Sequence, residues 1–255
     1  MRVLVIVPTF NERETIEPLL HAILALDGYQ AMVVDDRSPD GTGEIADLVA
    51  AKYPGRVSVL HRTGRAGLGR AYVDGFQHAL IGDADRICQM DADFSHDPKA
   101  LPELVAAVDD ADLAIGSRYV HGISVVNWPL RRLVLSTFAN RYIRAVTGLP
   151  LTDCTAGFRC WRRETLERIP LDRIVSEGYA FQVEMAFEAV RRGARVVEVP
   201  IVFTERTQGH SKLSGSRLTE SLLMPWRLRA RPALAAPSPS TAEPAPTTDP
   251  PLPIR

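Results

Sequence analysis

The stretch VLVIVPTFNERETIEPLLHAILALDGYQAMVVDD runs from Val3 to Asp36 and contains the pattern that the next part of the chain repeats. Its two ends, VLVIV and AMVVD, are short apolar runs rich in β-branched residues, which is typical of buried strands. Between them, from Ile16 to Leu24, apolar residues recur at the spacing of an amphipathic helix. The stretch therefore predicts a βαβ unit, whose two strands are parallel.

The same alternation continues toward the middle of the chain. Further strands are predicted at Val57 to Leu60, Arg86 to Met90 and Asp112 to Gly116, with helical patterns between them. We therefore expect an α/β fold with a mainly parallel sheet and helices on both faces, the sheet being shared by both halves of the chain. Ligands of such sheets bind beyond the carboxyl ends of the strands, so the loops at those ends are the first places to look for function.

Composition limits the size and the partners of the protein. With 45% hydrophobic residues, the 255-residue chain can bury a full core, and we predict one catalytic domain over residues 1–228. Residues 229–255 are rich in Pro, Ala, Ser and Thr, which predicts a disordered tail. The formal net charge of -1 predicts no nucleic-acid partner. The odd number of cysteines, three, predicts reduced thiols in a cytosolic protein.

Two loops at predicted strand ends lack the sequence patterns of known nucleotide-binding loops. PTFNERE, from Pro8 to Glu14, stands where a dinucleotide-binding fold places its G-x-G-x-x-G turn, so NAD and FAD are not expected. GRAGLG, from Gly64 to Gly69, lacks the Gly-Lys-Ser/Thr ending of a phosphate loop. We interpret it as a plain loop and helix start.

Acidic residues follow the second predicted strand in VVDDRSPDGTG, Val33 to Gly43. Asp36 lies at the carboxyl end of the strand, where its carboxylate can accept hydrogen bonds from a base or a sugar, and we predict that it contacts ligand. Asp40 and Gly41 are better explained as turn residues, since both tolerate left-handed backbone conformations.

The segment MDADFSHDP, Met90 to Pro98, gathers three carboxylates after the fourth predicted strand. On an extended chain Asp91 and Asp93 project to the same side and can share a ligand. Paired oxygen donors of this kind suit Mg²⁺ or Mn²⁺ carried by a diphosphate. Asp97 precedes a proline and is predicted to cap a helix instead.

Eight stretches in chain order carry a family resemblance: PTFNERE, VVDDRSPDGTG, HRTGRAGLGRAY, MDADFSHDP, IGSRY, TDCTAGFRCWRRE, GYAFQVEM and FTERTQGHSKLSG. With these stretches the chain closely resembles the dolichol-phosphate mannose synthase family and its bacterial polyprenol-monophosphomannose branch. These are family 2 glycosyltransferases with the Rossmann-like GT-A fold. The resemblance implies transfer of mannose from GDP-mannose to a polyprenyl phosphate, with inversion to a β-linked mannosyl phosphate lipid.

The resemblance also implies roles for individual residues. The positions implied to contact the donor nucleoside are Pro8, Phe10, Glu12, Val34 and Asp36. Those implied to surround the ribose and the metal are Met90, Asp91, Ala92, Asp93 and Ser95, of which Asp91, Asp93 and Ser95 are the metal set. The family pattern is not followed everywhere: Phe10 stands where many members have Tyr, and Ser95 where some supply a Gln to the metal.

The acceptor side of the implied site is basic. Arg118, Arg132 and Ser136 are implied to face the acceptor phosphate, while Arg206 and Lys212 are implied to close over the donor diphosphate. Asp93, Arg118 and Arg132 form the implied catalytic set. The nucleophile is a phosphate oxygen that is already ionised at neutral pH, so no side-chain base is required, and catalysis reduces to positioning and charge stabilisation. His96, His121 and His210 are accordingly left without a catalytic role.

A basic amphipathic segment follows the fifth predicted strand, in WPLRRLVLSTFANRYIRAVTG, Trp128 to Gly148. Its apolar residues can lie in a lipid headgroup region, or they can pack on the sheet as such stripes normally do. Because the acceptor is a lipid, we expect peripheral association with the inner face of the cell membrane from the cytoplasm. No stretch has the roughly 20 apolar residues of a spanning helix, which leaves room for a separate membrane-protein partner.

Three other functions stay open at the level of sequence. A polyprenyl-phosphate glucosyltransferase that uses UDP-glucose would have the same fold and metal motif. A nucleotide-sugar-binding protein without turnover would keep the fold but is expected to lose Asp93, Arg118 or Arg206, all of which are present. A nucleotidyltransferase commonly has a glycine- and lysine-rich loop after the first strand, which PTFNER does not provide.

Overall fold

The computed structural model describes residues 1–64, 67–205 and 215–232, and for residues 215–221 the backbone only. The strands are β1 Val3–Thr9, β2 Tyr29–Asp35, β3 Val57–His61, β4 Arg86–Gln89, β5 Leu113–Ser117, β6 Val125–Val126, β7 Arg159–Arg162, β8 Val196–Pro200 and β9 Phe203–Thr204. The α-helices are α1 Ile16–Leu24, α2 Thr42–Lys52, α3 Leu68–Ala79, α4 Leu101–Ala107, α5 Leu130–Thr147, α6 Arg163–Glu167, α7 Gly178–Arg191 and α8 Gly215–Arg229. Single 3₁₀ turns lie at Pro98–Ala100 and Leu171–Arg173.

One seven-stranded sheet forms the centre of a single α/β domain, in the order β3-β2-β1-β4-β7-β5-β8. All of its neighbouring strands are parallel except β7, which is antiparallel to both β4 and β5. The predicted mainly parallel sheet, shared by both halves of the chain, is confirmed. The short strands β6 and β9 pair in a separate two-stranded sheet.

Helices cover both faces of the sheet, as predicted. The apolar residues of α3 and α7 are buried in one core cluster, and those of α1 and α4 in a second cluster across the sheet. Successive residues of a strand face opposite sides, so Ile6 and Val34 lie in the first cluster, while Val5 and Val33 lie in the second. The same alternation determines the face of the sheet to which each residue at a strand end points. It therefore determines which of these residues can lie together in a site.

Strand β7 was not predicted, because its sequence RCWR shows no clear apolar alternation. Arg159 is fully buried in it and donates to three carbonyl groups, those of Ala156 at 2.8 Å, Gln182 at 2.7 Å and Cys154 at 3.2 Å. These bonds satisfy the guanidinium away from water, although burial lowers the pKa of Arg159 to about 10.

The described end of the chain packs against α7. Arg231 forms ion pairs with Glu184 and Glu188, two buried carboxylates of that helix, and Arg191 donates to the carbonyl of Pro232 at 2.7 Å. Packed structure thus continues past residue 228, where we placed the domain boundary; residues 233–255 of the predicted tail lie outside the described residues. The three cysteines are free and buried. In the described parts of the chain, every helix is too short or too polar to cross a membrane.

Candidate active site

The predicted donor residues lie at the carboxyl ends of β1 and β2. These strands pair in register, which places Pro8 beside Val34 on the sheet face that α3 covers. The backbone N–H of Asp36 donates to the carbonyl of Thr9 at 3.0 Å and so extends the pairing by one residue. Glu12 begins the next turn, where its N–H donates to Oγ1 of Thr42 at 2.9 Å. Pro8, Val34 and Asp36 are therefore brought together as predicted.

The two adjacent aspartates of β2 point to opposite faces and have different surroundings. Asp35 accepts from the hydroxyl groups of Thr9 at 2.9 Å and Ser38 at 2.6 Å, which makes it a structural residue of the turn. Asp36 faces α3 and forms an ion pair with Arg62, a residue that our sequence analysis did not single out. Arg62 follows an edge strand, and nothing in its local pattern indicates a partner 26 residues away.

Asp40 and Asp97 have the structural roles predicted for them. Asp40 accepts from the N–H of Thr42 at 3.0 Å, and hydrogen bonds from Thr42 and Arg13 hold the pKa of its carboxyl below the usual range despite partial burial. Asp97 accepts from the N–H of Lys99 at 2.9 Å and caps the 3₁₀ turn that Pro98 begins.

The acidic segment after β4 is a turn. Ala92 and Asp93 are turn residues, and the carboxylate of Asp93 accepts from the N–H of Ser95 at 3.0 Å. Our premise that Asp91 and Asp93 share one side of an extended segment was therefore wrong, because the chain reverses between them. The side chains of Met90 and Ala92 are buried in the core cluster of α1 and α4, so their backbone is the part within reach of a ligand.

Tyr72, which the sequence analysis missed, and His96 lie next to Asp91. The hydroxyl of Tyr72 in α3 lies 3.5 Å from its carboxylate, and burial together with this negative charge raises the pKa of Tyr72. The N–H of Asp91 donates to Nδ1 of His96 at 3.3 Å. Burial lowers the pKa of His96, and its ring stacks on Phe158 with a centroid distance of 4.9 Å. His96 is thus a packed structural residue, in agreement with our leaving it without a catalytic role.

The residues of this loop fit a divalent cation. Asp91 and Asp93 supply hard carboxylate oxygens, and the side chain of Asp91 is 35% exposed. Oγ of Ser95 is buried and has no hydrogen-bond partner among the described residues. An uncompensated buried hydroxyl is costly, and an ion or its hydration shell would satisfy it. Among the described residues, no group of three or more His, Cys, Asp and Glu side chains could hold a metal ion.

Backbone strain concentrates beside the same strand ends. Asn11, Arg37 and Phe94 each adopt positive φ angles, of 63°, 56° and 57°, just after β1, β2 and β4 respectively. This region is unfavourable for residues with a side chain, so such strain is commonly kept only where a particular loop shape is needed.

The glycine-rich loop before α3 accommodates a neighbouring loop. Glu177 accepts from the N–H of Gly69 at 3.1 Å, in the first turn of α3. A Cβ atom on Gly69 would lie 2.5 Å from the carbonyl oxygen of Ser176, and one on Gly67 would overlap the carboxylate of Glu177. The interpretation of GRAGLG as a loop and helix start is confirmed for its described residues.

Arg118 is buried and already paired. Its Nε and Nη2 atoms each lie 2.6 Å from the carboxylate of Asp153, and Nη2 also donates to Thr155 at 2.8 Å. The Asp153 carboxylate lowers the cost of burying the arginine, whose pKa is raised by that charge although burial opposes it. Asp153 lies in the quoted stretch TDCTAGFRCWRRE, 35 residues after Arg118. At that separation, the sequence does not indicate that the two residues pair.

Arg132 lies in the first turn of α5 and is more accessible. It forms an ion pair with Glu205, and its guanidinium lies 4.1 Å from the centroid of the Trp128 ring. Oγ of Ser136, one turn further along, accepts from the hydroxyl of Tyr119 at 2.7 Å. The centroid of the Trp128 ring also lies 5.4 Å from the guanidinium carbon of Arg118. The two predicted acceptor arginines are therefore both next to this ring.

Five further residues were named in the sequence analysis. Arg206, Lys212 and His210 lie outside the described residues. Phe10 lies, half-buried, in the bend that follows β1. His121 is exposed in the loop after Tyr119.

The first half of α5 presents apolar side chains outward. Leu130, Val134 and Phe138 form one stripe with exposed fractions of 75%, 57% and 62%. In the second half the stripe turns inward, and Ile143 and Val146 are buried. Helix α8 lies alongside and exposes Leu222, Leu223 and Trp226. The Trp226 indole donates to the hydroxyl of Tyr142 at 2.9 Å, which ties the two helices together.

Comparison with known proteins places this site in a family. The sequence model of Glycosyl transferase family 2 matches residues 4–169. The fold is similar to glucosyl-3-phosphoglycerate synthase from Mycobacterium tuberculosis in complex with Mn²⁺, uridine diphosphate and phosphoglyceric acid. That structure has a TM-score of 0.66 at 18% identity, over 91% of this chain and 79% of that one. The chain belongs to glycosyltransferase family 2.

Two curated relatives are similar over almost their whole length. The chain is 50% identical over 234 residues to the polyprenol monophosphomannose synthase of Mycolicibacterium smegmatis, covering 90% of this chain and 88% of that protein. It is also 50% identical over 234 residues to the undecaprenyl-phosphate mannosyltransferase of Micrococcus luteus, covering 91% and 96%. Within the family, the chain is thus similar to enzymes named as mannosyltransferases of polyprenyl phosphates.

Proposed function

We propose that this protein transfers mannose from GDP-mannose to a polyprenyl phosphate and inverts the anomeric centre to give a β-mannosyl phosphoryl polyprenol. The observation that carries the proposal is the 50% identity, over about nine tenths of the chain, to two enzymes named for this acceptor class. The site chemistry agrees with it, because carboxylates and arginines meet at the strand ends without a nucleophile and base pair.

The donor occupies the crevice at the carboxyl ends of β1, β2 and β4. Pro8, Val34 and Asp36 contact the nucleoside, and Phe10 and Glu12 border it from the turn after β1. Arg206 and Lys212 close over the diphosphate in this proposal. The acceptor phosphate supplies the attacking oxygen, which needs no base because it is ionised at neutral pH.

A divalent cation, Mg²⁺ or Mn²⁺, is held by Asp91 and Asp93 with Ser95 beside them. When bound, such an ion neutralises the charge that develops on the leaving diphosphate. The support comes from the chain itself, namely the two carboxylates and the uncompensated hydroxyl of Ser95, since the likeness to the manganese-bound synthase is a likeness of fold. The turn at Ala92 and Asp93 determines the positions of the Asp91 and Asp93 carboxylates.

Arg132 and Arg118 stabilise the acceptor phosphate from the side opposite the donor. Arg132 can exchange Glu205 for the phosphate, because both side chains of that ion pair are about one quarter exposed, at 27% and 26%. Arg118 keeps its bond to Asp153 and contributes its charge and Nη1, the terminal nitrogen that this bond does not use. Ser136 lies one turn after Arg132 and completes this side.

The lipid acceptor is reached by peripheral association with the cytoplasmic face of the membrane. Support comes from the exposed apolar side chains of α5 and α8, which form a continuous surface with exposed Arg131 and Arg141 on α5. Apolar residues flanked by arginines suit an anionic headgroup layer. A separate membrane-protein partner stays a prediction.

A two-donor transfer assay tests the function. Purified full-length protein is given radiolabelled GDP-mannose or UDP-glucose, a polyprenyl phosphate and Mg²⁺ or Mn²⁺, and label is counted in the organic phase. We expect label from GDP-mannose alone, and loss of transfer with a chelator. Label from UDP-glucose would identify the glucosyltransferase instead, and donor binding without transfer would identify a non-catalytic binding protein.

A further inference from the structure

Arg62 connects the edge of the sheet to the predicted donor site. Its backbone N–H donates to the carbonyl of Asp35 at 2.9 Å, and its guanidinium forms an ion pair with Asp36. The same guanidinium donates through Nε to Oδ2 of Asp74 in α3 at 2.7 Å. Only 10% of the Arg62 side chain and 7% of the Asp36 side chain are exposed. Arg62 is therefore held between a carboxylate of the donor site and a carboxylate outside it.

One side of Arg62 borders an open groove. The groove, of about 720 Å³, runs along the outer edge of the sheet and is lined by Leu60 and His61 of β3, by Arg62 just after it, and by α3, including Asp74. Among the described residues, β3 is the edge strand of the sheet. The Arg62 guanidinium is held by two carboxylate partners, and the bond to Asp74 is the one that lies outside the donor site.

Asp36 depends on Arg62 for its orientation. Its backbone is fixed by the hydrogen bond to the carbonyl of Thr9, which leaves rotation of the side chain as its main freedom. In the part of the chain that the structure describes, the Asp36 carboxylate accepts through Oδ1 from Arg62. An ionised carboxylate has about four acceptor positions, so Asp36 retains capacity for two further donors while it is held by the arginine.

The chemistry of the two candidate bases differs at the edge that a carboxylate can bind. Guanine presents an N–H and an NH₂ side by side, so a carboxylate in a fixed plane accepts from both. Uracil presents one N–H between two carbonyl oxygens, so a carboxylate in that plane accepts one hydrogen bond and its second oxygen faces a carbonyl oxygen. We propose that Arg62, held by Asp74, is a positioning residue that orients Asp36 toward guanine and so favours a guanine nucleotide over a uracil nucleotide. This inference rests on the proposed function, since it assigns Asp36 to the donor base.

Calorimetric titration of GDP and of UDP into the full-length protein tests the inference without requiring turnover. We expect Arg62→Met to weaken GDP binding by about tenfold and Asp74→Asn by about threefold, as expected for loss of a charge-assisted contact or of its support. UDP binding should change by less than about twofold. The matched control is Asp109→Asn, which removes a carboxylate paired with Arg86 at 3.3 Å at the opposite end of the sheet.

The Asp74→Asn variant decides the outcome, because the Asp74 side chain is 41% exposed and its replacement leaves the core intact. Loss of GDP binding without loss of UDP binding, at an unchanged melting temperature, supports the inference. If the wild type prefers GDP and Asp74→Asn keeps that preference in full, Arg62 has no positioning role. If the wild type prefers UDP, the proposed donor is contradicted as well, so the two failures are distinguishable.

Discussion

Arg118 and Arg132 differ in how firmly their carboxylate partners hold them. Arg118 and Asp153 are both buried and form a bidentate pair, whereas the pair of Arg132 and Glu205 is partly open to solvent. A phosphate can replace Glu205, which then returns to water at little cost. It cannot replace Asp153 without leaving a buried carboxylate uncompensated. In the proposed function, we therefore expect an arriving phosphate to pair with Arg132 before Arg118.

We expect Arg132→Lys to raise the KM for polyprenyl phosphate by about tenfold, because a lysine cannot reproduce the paired hydrogen bonds of a guanidinium to phosphate. GDP-mannose affinity should change by less than about twofold. Steady-state titration of each substrate measures this. Arg118→Lys is the contrast: it should also lower the free energy of unfolding, by about 2 kcal/mol, because Asp153 loses one of its bonds. A defect confined to GDP-mannose binding would place Arg132 on the donor side.

Asp93→Ala should abolish transfer while the fold is kept, because the cation loses a carboxylate and the leaving diphosphate its neutralisation. Asp97→Ala is the matched control four residues away. It removes only the cap on Lys99, so it should cost about 1 kcal/mol of stability and leave transfer near normal. Activity in the organic-phase assay and melting temperature are both measured. Near-normal, metal-dependent transfer by Asp93→Ala would remove this residue from the site.

At this scale the sequence predicts residues whose position after a strand already signals function. Asp36 was predicted in this way, and so was the acidic segment at Asp91 and Asp93; the structure places both just after strands, and their contact with ligand stays a prediction. The partners of the charged residues were missed, because the pairs Arg118 with Asp153 and Arg132 with Glu205 join positions 35 and 73 residues apart. Such pairs form only when the chain is folded, and no local pattern announces them.

At the scale of elements, the two halves of α5 differ in burial: inward packing is confirmed for the second half, and contact of the first half with lipid stays a prediction. Its second half packs inward through Ile143 and Val146, as a stripe of this kind normally does. Its first half keeps Leu130, Val134 and Phe138 exposed, which is costly in water unless the surface has a partner. The helix changes role along its length because α8 covers only part of it.

Membrane binding can be tested on this two-helix surface. The double variant Phe138→Ala with Leu223→Ala should reduce binding to phosphatidylglycerol vesicles by about tenfold, because less apolar area enters the headgroup region. The matched control is Leu48→Ala with Ile81→Ala, whose side chains lie elsewhere and are at least as exposed, at 64% and 83%. Vesicle flotation measures the bound fraction. An equal loss in both variants would mean that the surface has no particular role in binding.

Five strands of the sheet were predicted from short apolar runs, and all five are present within a residue or two of their predicted bounds. β7 was not predicted because Arg159, Cys160, Trp161 and Arg162 show no clear apolar alternation. Its buried arginine is tolerated only through carbonyl groups supplied by other elements. A strand of this type is therefore determined by its tertiary neighbours, and local propensity does not reveal it.

At the scale of the whole molecule, Arg231 closes the described structure by joining its last residues to α7. Glu184 and Glu188 are almost fully buried, and Arg231 contacts both. Glu184 also accepts from the N–H of Ser176 at 2.9 Å, in the loop that packs against the start of α3. Arg231, near the end of the described chain, thus stabilises α7 and, through Glu184, the loop that contains Ser176.

Truncation at two neighbouring points separates this contact from the rest of the tail. Ending the chain after Arg229 should lower the free energy of unfolding by about 1–3 kcal/mol, because two buried carboxylates lose a charged partner. Ending it after Pro232 should leave stability unchanged, since the residues removed are rich in Pro, Ala, Ser and Thr. Thermal melts of both proteins give the comparison. A large loss on ending after Pro232 would show that residues 233–255 pack.

The position of β7 between β4 and β5 also constrains how the protein is made. During synthesis β4 and β5 leave the ribosome long before β7, and each then has a hydrogen-bonding edge with no partner. The sheet can be completed only when residues 159–162 arrive and join its two parts. The nascent chain therefore passes through a period in which edges of β4 and β5 are open to pairing with other chains. We expect slower translation between β5 and β7 to lengthen this period and to raise the aggregated fraction of the protein.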